Sequence, residues 1–520
     1  MKHQRSIANQ AGGKVFLVGA GPGAPDLITQ RGAAIMSTAD VIVYDALVSP
    51  ELLRLAPAAA ECIFAGKKGG EERSTEQSEI NRILIEHART GRRVVRLKGG
   101  DPFIFGRGGE EAEALVAAGI AFEVVPGVTS AIAAPAFAGI PLTHRDRGSF
   151  VAFITGHQDS AKEPQDAIPW DDLARAADGR GTLVILMATA RMRASLERLA
   201  AGGLAPETPA AAIQAGSTAA QKTVVATLGT LANEAARTGL KAPAVIVVGE
   251  CAALGNELSW FDAMPLFGRR IVITRAAADA SDFAARIRAL GGEATEFPTI
   301  KTAPPTSYEI LDRAIAEIGS FDWLIFTSAN GVESFIDRMR SRACDIRELG
   351  HAAIAAIGPV TAERVRRYAL TVAAMPPEYR AEAIIDAIGA ARIAGARILI
   401  PRAEIAREIL PEMLRHHGAR EVVVAAAYRT VMPAIDADRI RAMIAANAID
   451  LVSFTSSSTV TNFTAMAGVP VAGLKAAAIG PITAETARAH GFEVVAATTE
   501  YTVEALISSI VEYYARTARA

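Results

Sequence analysis

The second half of this 520-residue chain contains its own near-copy, and that repeat limits what it can fold into. Gly268-Arg-Arg-Ile-Val-Ile-Thr-Arg-Ala276 returns as Gly395-Ala-Arg-Ile-Leu-Ile-Pro-Arg-Ala403, 127 residues on. Leu324-Ile-Phe-Thr-Ser-Ala-Asn330 returns as Val452-Ser-Phe-Thr-Ser-Ser-Ser458 after 128, and Ala356-Ile-Gly-Pro-Val-Thr-Ala362 as Ala478-Ile-Gly-Pro-Ile-Thr-Ala484 after 122. Shared order at a near-constant offset predicts two copies of one α/β domain. Each copy places Thr-Ser after an apolar run and Gly-Pro-x-Thr-Ala after another. In a parallel sheet those are carboxy-terminal strand ends, where hydroxyls and helix amino termini converge. Thr327, Ser328, Thr455 and Ser456 are therefore candidates both for helix caps and for contacts to an anionic ligand.

The first half is punctuated by two glycine loops. Lys14-Val-Phe-Leu-Val18 reads as a strand and runs into Gly19-Ala-Gly-Pro-Gly23. Strand, glycine turn and helix together bring a ligand to a strand end. Asp45, after the apolar run Val41–Tyr44, stands roughly where a dinucleotide fold keeps its ribose-binding acid, so a nicotinamide or flavin enzyme competes. Pro22 counts against it, because it removes a backbone donor that a pyrophosphate would use. The second loop is the run Arg96-Leu-Lys-Gly-Gly-Asp-Pro-Phe-Ile-Phe-Gly-Arg-Gly-Gly-Glu-Glu111. Val94–Leu97 reads as a strand, and Gly99-Gly100 lets the backbone approach a ligand. Asp101, before a proline, is expected to be extended with its carboxylate pointing outward.

The two loops, with Tyr44-Asp-Ala-Leu-Val48, Val125-Pro-Gly-Val-Thr-Ser-Ala131, Pro141-Leu-Thr-His-Arg145, Thr155-Gly-His157, Gly216-Ser-Thr218 and Pro243-Ala-Val-Ile-Val-Val-Gly249, resemble the tetrapyrrole methylase family, specifically its uroporphyrinogen-III C-methyltransferases. The second half is similar to uroporphyrinogen-III synthases through its Ile-Thr-Arg-Ala opening, Phe326-Thr-Ser-Ala-Asn-Gly331, Ala427-Tyr-Arg-Thr430, Phe454-Thr-Ser-Ser457 and Ile479-Gly-Pro-Ile-Thr-Ala484. The expected fold class is α/β: a two-domain methylase unit followed by a two-domain synthase unit of duplicated parallel α/β domains. The expected boundaries are a disordered tail at 1–13, methylase domains at 14–128 and 129–254, a linker at 255–267 and a synthase unit at 268–520. In that unit 268–301 joins 433–520, and 302–432 forms the other domain. Phe297–Ile300 and Tyr428–Thr430 would be the crossing segments.

The resemblance implies S-adenosylmethionine as cofactor, held by Pro22, Gly99, Gly100, Asp101, Ile104, Thr129, Ser130, Met187, Gly216 and Ala244. Met187 reads equally well as strand core. The resemblance also makes Asp45 a proton acceptor and Lys67 a donor, with Arg107, Glu110 and His157 near the substrate. In the second half Tyr428 and Thr483 match residues linked to catalysis. Both substrates, hydroxymethylbilane and uroporphyrinogen III, carry eight carboxylates, so Arg107, Arg145, Arg275 and Arg402 are expected to meet anions. The family often has a polar residue after the aspartate, and here it is Ala46. An alternative keeps a methylase for another tetrapyrrole and makes the second half a non-catalytic binder of anionic tetrapyrroles.

Composition narrows the field. Half the residues are hydrophobic and only 6% aromatic, which suits parallel sheets of Val, Ile, Leu and Ala. A net charge of −2 argues against a nucleic-acid partner. Cys62, Cys251 and Cys344 show no paired or metal-binding spacing, which points to a reducing cytoplasm and no metal. Met1–Gly13 lacks the apolar core of a signal peptide. Val124–Thr143 carries no charge, but its prolines and glycines fit buried loop and helix better than a membrane span. A homodimer is the family expectation.

Overall fold

The computed structural model describes residues 13–66, 76–156, 168–377, 383–406, 408–433 and 437–517. The tail expected at 1–13 lies, except for Gly13, outside them. Four sheets organise the described residues. The first runs β3 (Glu61–Phe64), β2 (Val41–Tyr44), β4 (Arg93–Lys98), β1 (Lys14–Gly19) and β5 (Ala121–Val125), all parallel. Its central strands are largely apolar on both faces because both are covered, Arg96 and Lys98 of β4 being the buried exceptions. Phe16, Val18, Ile42, Val95 and Leu97 pack on one side. Val15, Leu17, Val41, Val43 and Val94 pack on the other, against Ile80 and Leu84 of helix Gln77–Arg89 and Leu115 of helix Gly108–Ala117.

The second sheet orders β6 (Phe150–Thr155), β7 (Gly181–Leu186), β10 (Ala244–Val248), β8 (Pro209–Gln214) and β9 (Lys222–Thr227). Only β6 and β7 pair in parallel; the other three ladders are antiparallel. This departs from the all-parallel pattern that the composition suggests. The reason is local: β8 and β9 are joined by a tight turn at 215–221, too short for a parallel crossover. The aromatics after 258 seal this unit. Phe137 meets Trp260 and Phe261 at centroid distances of 5.2 and 4.9 Å, and Phe261 meets Phe267 at 5.3 Å. Trp260 donates its indole N–H to the Ala136 carbonyl at 2.9 Å.

The repeat becomes two sheets with the same strand order. One runs β12 (Glu293–Glu296), β11 (Arg270–Ile273), β19 (Leu451–Phe454), β20 (Lys475–Ile479), β21 (Glu493–Thr498), all parallel. The other runs β13 (Lys301–Ala303), β18 (Glu421–Val431), β17 (Arg397–Ala403), β14 (Trp323–Phe326), β15 (Ala353–Ala356), β16 (Val372–Ala374), parallel except where β13 meets β18. The three repeated motifs fall on β11 and β17, β14 and β19, and β15 and β20, and those strands occupy equivalent places. Residues 428–430 continue β18 as a ribbon, with Thr302 opposite Thr430 and Ala303 opposite Arg429.

Candidate functional site

Four loops of the first half meet at one point. Gly21 and Gly100 exchange backbone hydrogen bonds, Gly21 N–H to Gly100 O at 3.2 Å and Gly100 N–H to Gly21 O at 2.7 Å. A Cβ on Gly127 would sit 2.3 Å from the Gly100 carbonyl oxygen and 2.6 Å from Gly19 Cα, so only glycine permits this approach. Thr129 caps the helix Ser130–Phe137 through its hydroxyl. The fourth loop follows β8: Ser217 accepts from Ala24 N–H at 3.2 Å, and a Cβ on Gly216 would collide with Ala134 at 2.5–2.7 Å. Pro22, Gly99, Gly100, Asp101, Thr129 and Gly216 therefore belong to one loop cluster. Ala244 begins β10 beside it, opposite Gln214 at the end of β8.

Asp101 differs from the sequence expectation. Its carboxylate turns back onto its own loop, accepting from Phe103 N–H at 2.8 Å, Ile104 N–H at 3.1 Å and Gly127 N–H at 3.0 Å. Three nearby amide donors outcompete water, and the charge-assisted bonds fix the loop. Met187 is not strand core: it follows β7 with φ +57° and is 51% exposed. Phe105, Arg107, Ala215 and Ser217 are also left-handed, so five of the eight described non-glycine residues with positive φ follow β4, β7 or β8. Such strain persists where surrounding structure over-determines it, and it gathers at ligand clamps. Phe103, Ile104 and Phe105 stand exposed after β4, with Leu47 from the segment after β2, an apolar surface suited to an adenosine or a macrocycle. Glycine backbone, free apolar side chains and fixed loops fit S-adenosylmethionine.

The charges are organised less evenly. Arg107 and Glu110 pair with one another at 2.6 and 2.8 Å on the surface. Arg145 is exposed in a turn closed by His144 N–H to Gly148 O at 2.9 Å. Lys67 and His157 lie outside the described residues. Asp45, just after β2, accepts from Arg96 at 2.5 Å. Arg96 also donates to Glu111 at 3.0 Å, and Lys98 donates to the same Glu111 oxygen at 2.7 Å. Burial, then the charge on Arg96, pushes the Lys98 ammonium below its ordinary range. No sequence motif assigns Arg96, Lys98 or Glu111 an individual role. The available signal is two cations, Arg96 and Lys98, at alternate positions directly after the apolar pair Val94-Val95.

In the second half Ser328 caps the helix Ala329–Ser341 and Ser456 caps Ser457–Ala467, so both Thr-Ser motifs start helices. Thr327 and Thr455 directly precede them. Tyr428 is buried with its hydroxyl 3.0 Å from the Ser328 hydroxyl, and burial pushes its phenol up, partly offset by that bond. Thr483 is buried in the first turn of helix Pro481–Ala489, in the other sheet unit. Arg275 follows β11 at a bend. Arg402 is buried on β17 and already paired with Glu408, which leaves it less available to a substrate than the sequence suggests.

Comparison with known proteins matches residues 14–232 to the tetrapyrrole (corrin/porphyrin) methylases and residues 281–508 to uroporphyrinogen-III synthase HemD. The chain is 38% identical over 503 residues to the porphyrin biosynthesis protein HemD of Ruminiclostridium josui, covering 96% of this chain and 98% of that one. It is 50% identical over 246 residues to an S-adenosyl-L-methionine-dependent uroporphyrinogen III methyltransferase of Methanosarcina barkeri, covering 47% of this chain and 94% of that protein. A crystal structure of uroporphyrin-III C-methyl transferase from Thermus thermophilus, complexed with S-adenyl homocysteine, is 37% identical with a TM-score of 0.39, covering 46% of this chain and 99% of that one.

Proposed function

The chain belongs to the family that joins a tetrapyrrole methylase to a uroporphyrinogen-III synthase, and we infer from this how its halves share one sequence of reactions. It is a uroporphyrinogen-III C-methyltransferase and a uroporphyrinogen-III synthase. The synthase half closes hydroxymethylbilane into uroporphyrinogen III with loss of water. The methylase half then places two methyl groups on ring carbons, giving precorrin-2. S-adenosylmethionine is the methyl source, and its sulfonium would supply a methyl group already activated, since a neutral thioether departs.

The observation that carries the methylase site is the meeting of the Gly19–Gly23, Gly99–Ile104, Gly127–Ser130 and Ala215–Thr218 loops. We propose that the cofactor lies there, against the Gly100 backbone and the exposed Ile104 and Met187 side chains, with Pro22, Gly99, Asp101, Thr129, Ser130, Gly216 and Ala244 completing its surroundings. Asp101 serves by holding the loop. Holding the reacting atoms in place supplies about 7–11 kcal/mol, against about 10²–10⁴-fold for proton transfer, so positioning dominates. Asp45 accepts the proton lost from the macrocycle and Lys67 donates; Arg107, Glu110 and His157 stand near the substrate, with Arg107 and Arg145 meeting its carboxylates.

For the synthase, Tyr428 and Thr483 face the bilane. Arg275 and the capped helix starts at Thr327-Ser328 and Thr455-Ser456 grip its carboxylates, and Arg402 joins them only by releasing Glu408. The chain divides at the expected domain boundaries, a division supported by the membership of the four sheets. A homodimer through the methylase half and a cytoplasmic location belong to this proposal, and light scattering and cell fractionation test them. The deciding experiment is mass spectrometry of the purified protein given hydroxymethylbilane, with and without S-adenosylmethionine. A dimethylated product is expected only with the cofactor. Methylation of added uroporphyrinogen III alone would demote the second half to a binding module.

A further inference from the structure

We infer that Arg96, anchored by Glu111, is a positioning residue for Asp45, so that the methylase proton acceptor is set from inside the sheet. This rests on the reading of Asp45 as that acceptor. Strand β4 sends Val95 and Leu97 to one apolar face, and Val94, Arg96 and Lys98 to the other. On that second face Val15, Leu17, Val41, Val43 and Leu84 form the packing, an unfavourable place for two cations. Arg96 is 2% exposed, and Glu111, in the first turn of the helix Gly108–Ala117, is wholly buried.

The geometry makes Arg96 a bridge. Its Nε donates to Glu111 Oε1 at 3.0 Å, one Nη to the Val43 carbonyl at 3.3 Å, and the other Nη to Asp45 Oδ1 at 2.5 Å. Lys98 Nζ takes the same Glu111 oxygen at 2.7 Å, and Gln77 donates to it at 3.2 Å. Among the described residues two cations face two carboxylates, Asp45 being the second. Asp45 is also the one member with appreciable exposure, 29% of its side chain. Its carboxylate thus forms the accessible end of a buried chain of charges. A planar guanidinium suits this place because it reaches two carboxylates in fixed directions, which an ammonium does not. Glu111 Oε2 finds no hydrogen-bond partner among the described residues, so Glu111 serves the two cations through a single oxygen.

The test measures methylation of uroporphyrinogen III by the full chain carrying Arg96→Gln, Asp45→Asn or both, with S-adenosylmethionine affinity by calorimetry and Tm for each. Arg96→Gln is expected to lower kcat about 100-fold with cofactor Kd changed less than about twofold, because a misplaced reacting group loses rate without losing binding. In the Asp45→Asn background it adds no further loss. Arg96→Lys, which keeps the charge beside Glu111, is expected to restore Tm but not kcat, and it decides the matter if Arg96→Gln does not fold. Additive losses in the double variant, or wild-type kcat in Arg96→Lys, would overturn the positioning role. Wild-type kcat in Asp45→Asn would instead remove Asp45 as acceptor, and with it anything for Arg96 to position.

Discussion

Glu51 and Arg439 meet at 2.7 Å across the junction of the methylase and synthase halves, where the Glu51 side chain is 9% exposed. Arg54 crosses the same junction to the Glu296 carbonyl at 2.9 Å and to its carboxylate at 3.2 Å. Both methylase residues lie on the 3₁₀ helix Pro50–Leu55, a few residues after Asp45. A cavity of about 300 Å³ lies beside them, lined by Gly23, Pro25 and Ser217 from one half and Arg288, Glu293 and Arg439 from the other.

Removing one partner of a half-buried pair costs more than the pair contributes, because a charge is left without compensation. Arg439→Ala is therefore expected to destabilise by about 1–2 kcal/mol, reduced by the remaining contact of Glu51 with Arg54. The check is thermal unfolding. The double variant with Glu51→Gln should recover part of the loss, and full additivity would argue against a coupled pair.

Glu293 on β12 is pushed up mainly by burial, against the pull of Arg439 and Arg270. A carboxyl whose folded pKa is raised binds its proton more readily in the native state, so stability falls as pH rises past the free-carboxylate range. Glu293→Gln is expected to raise Tm at pH 7, and the gain should disappear on acidification towards that range. A Tm unchanged at both pH values would sink this account.

Burial raises the Tyr428 phenol, and the Ser328 hydroxyl stands 3.0 Å away. The protonated phenol is the favoured native form, so its contribution is present below the ordinary tyrosine range and is lost as pH rises through the folded value. Tyr428→Phe should cut hydroxymethylbilane cyclisation by about tenfold or more, while methylation of supplied uroporphyrinogen III is unchanged. Chromatography of the two product sets checks both.

Gly127→Ala would put a methyl 2.3 Å from the Gly100 carbonyl oxygen, and backbone cannot yield cheaply. S-adenosylmethionine affinity measured by calorimetry should fall at least about tenfold as the loops separate. Gly109→Ala is the control. A Cβ there meets nothing within 4 Å and lies inside a helix, so it should gain up to about 1 kcal/mol of stability.

The parts of this protein legible in its sequence are local. Lys14–Val18 and Val94–Leu97 announce strands by β-branched runs ending at glycine, and the Thr-Ser motifs announce helix starts, because pattern and cap lie within a few residues of each other. The duplicated units are legible because those local motifs recur in order. The Asp101 carboxylate takes two of its donors, Phe103 and Ile104 N–H, from within three residues, and only the approach of Gly127 is not encoded near it.

The sequence by itself determined the element types, the repeat and the two families, since these depend on short-range pattern and residue identity. Only the tertiary structure decided that Asp45 and Arg96 touch. They lie 51 positions apart, and become neighbours because β2 pairs with β4, setting Val43 opposite Arg96 and Tyr44 opposite Leu97. Strand order is fixed by which apolar faces can be covered together, a property of the whole packed sheet, and no local stretch of residues carries it.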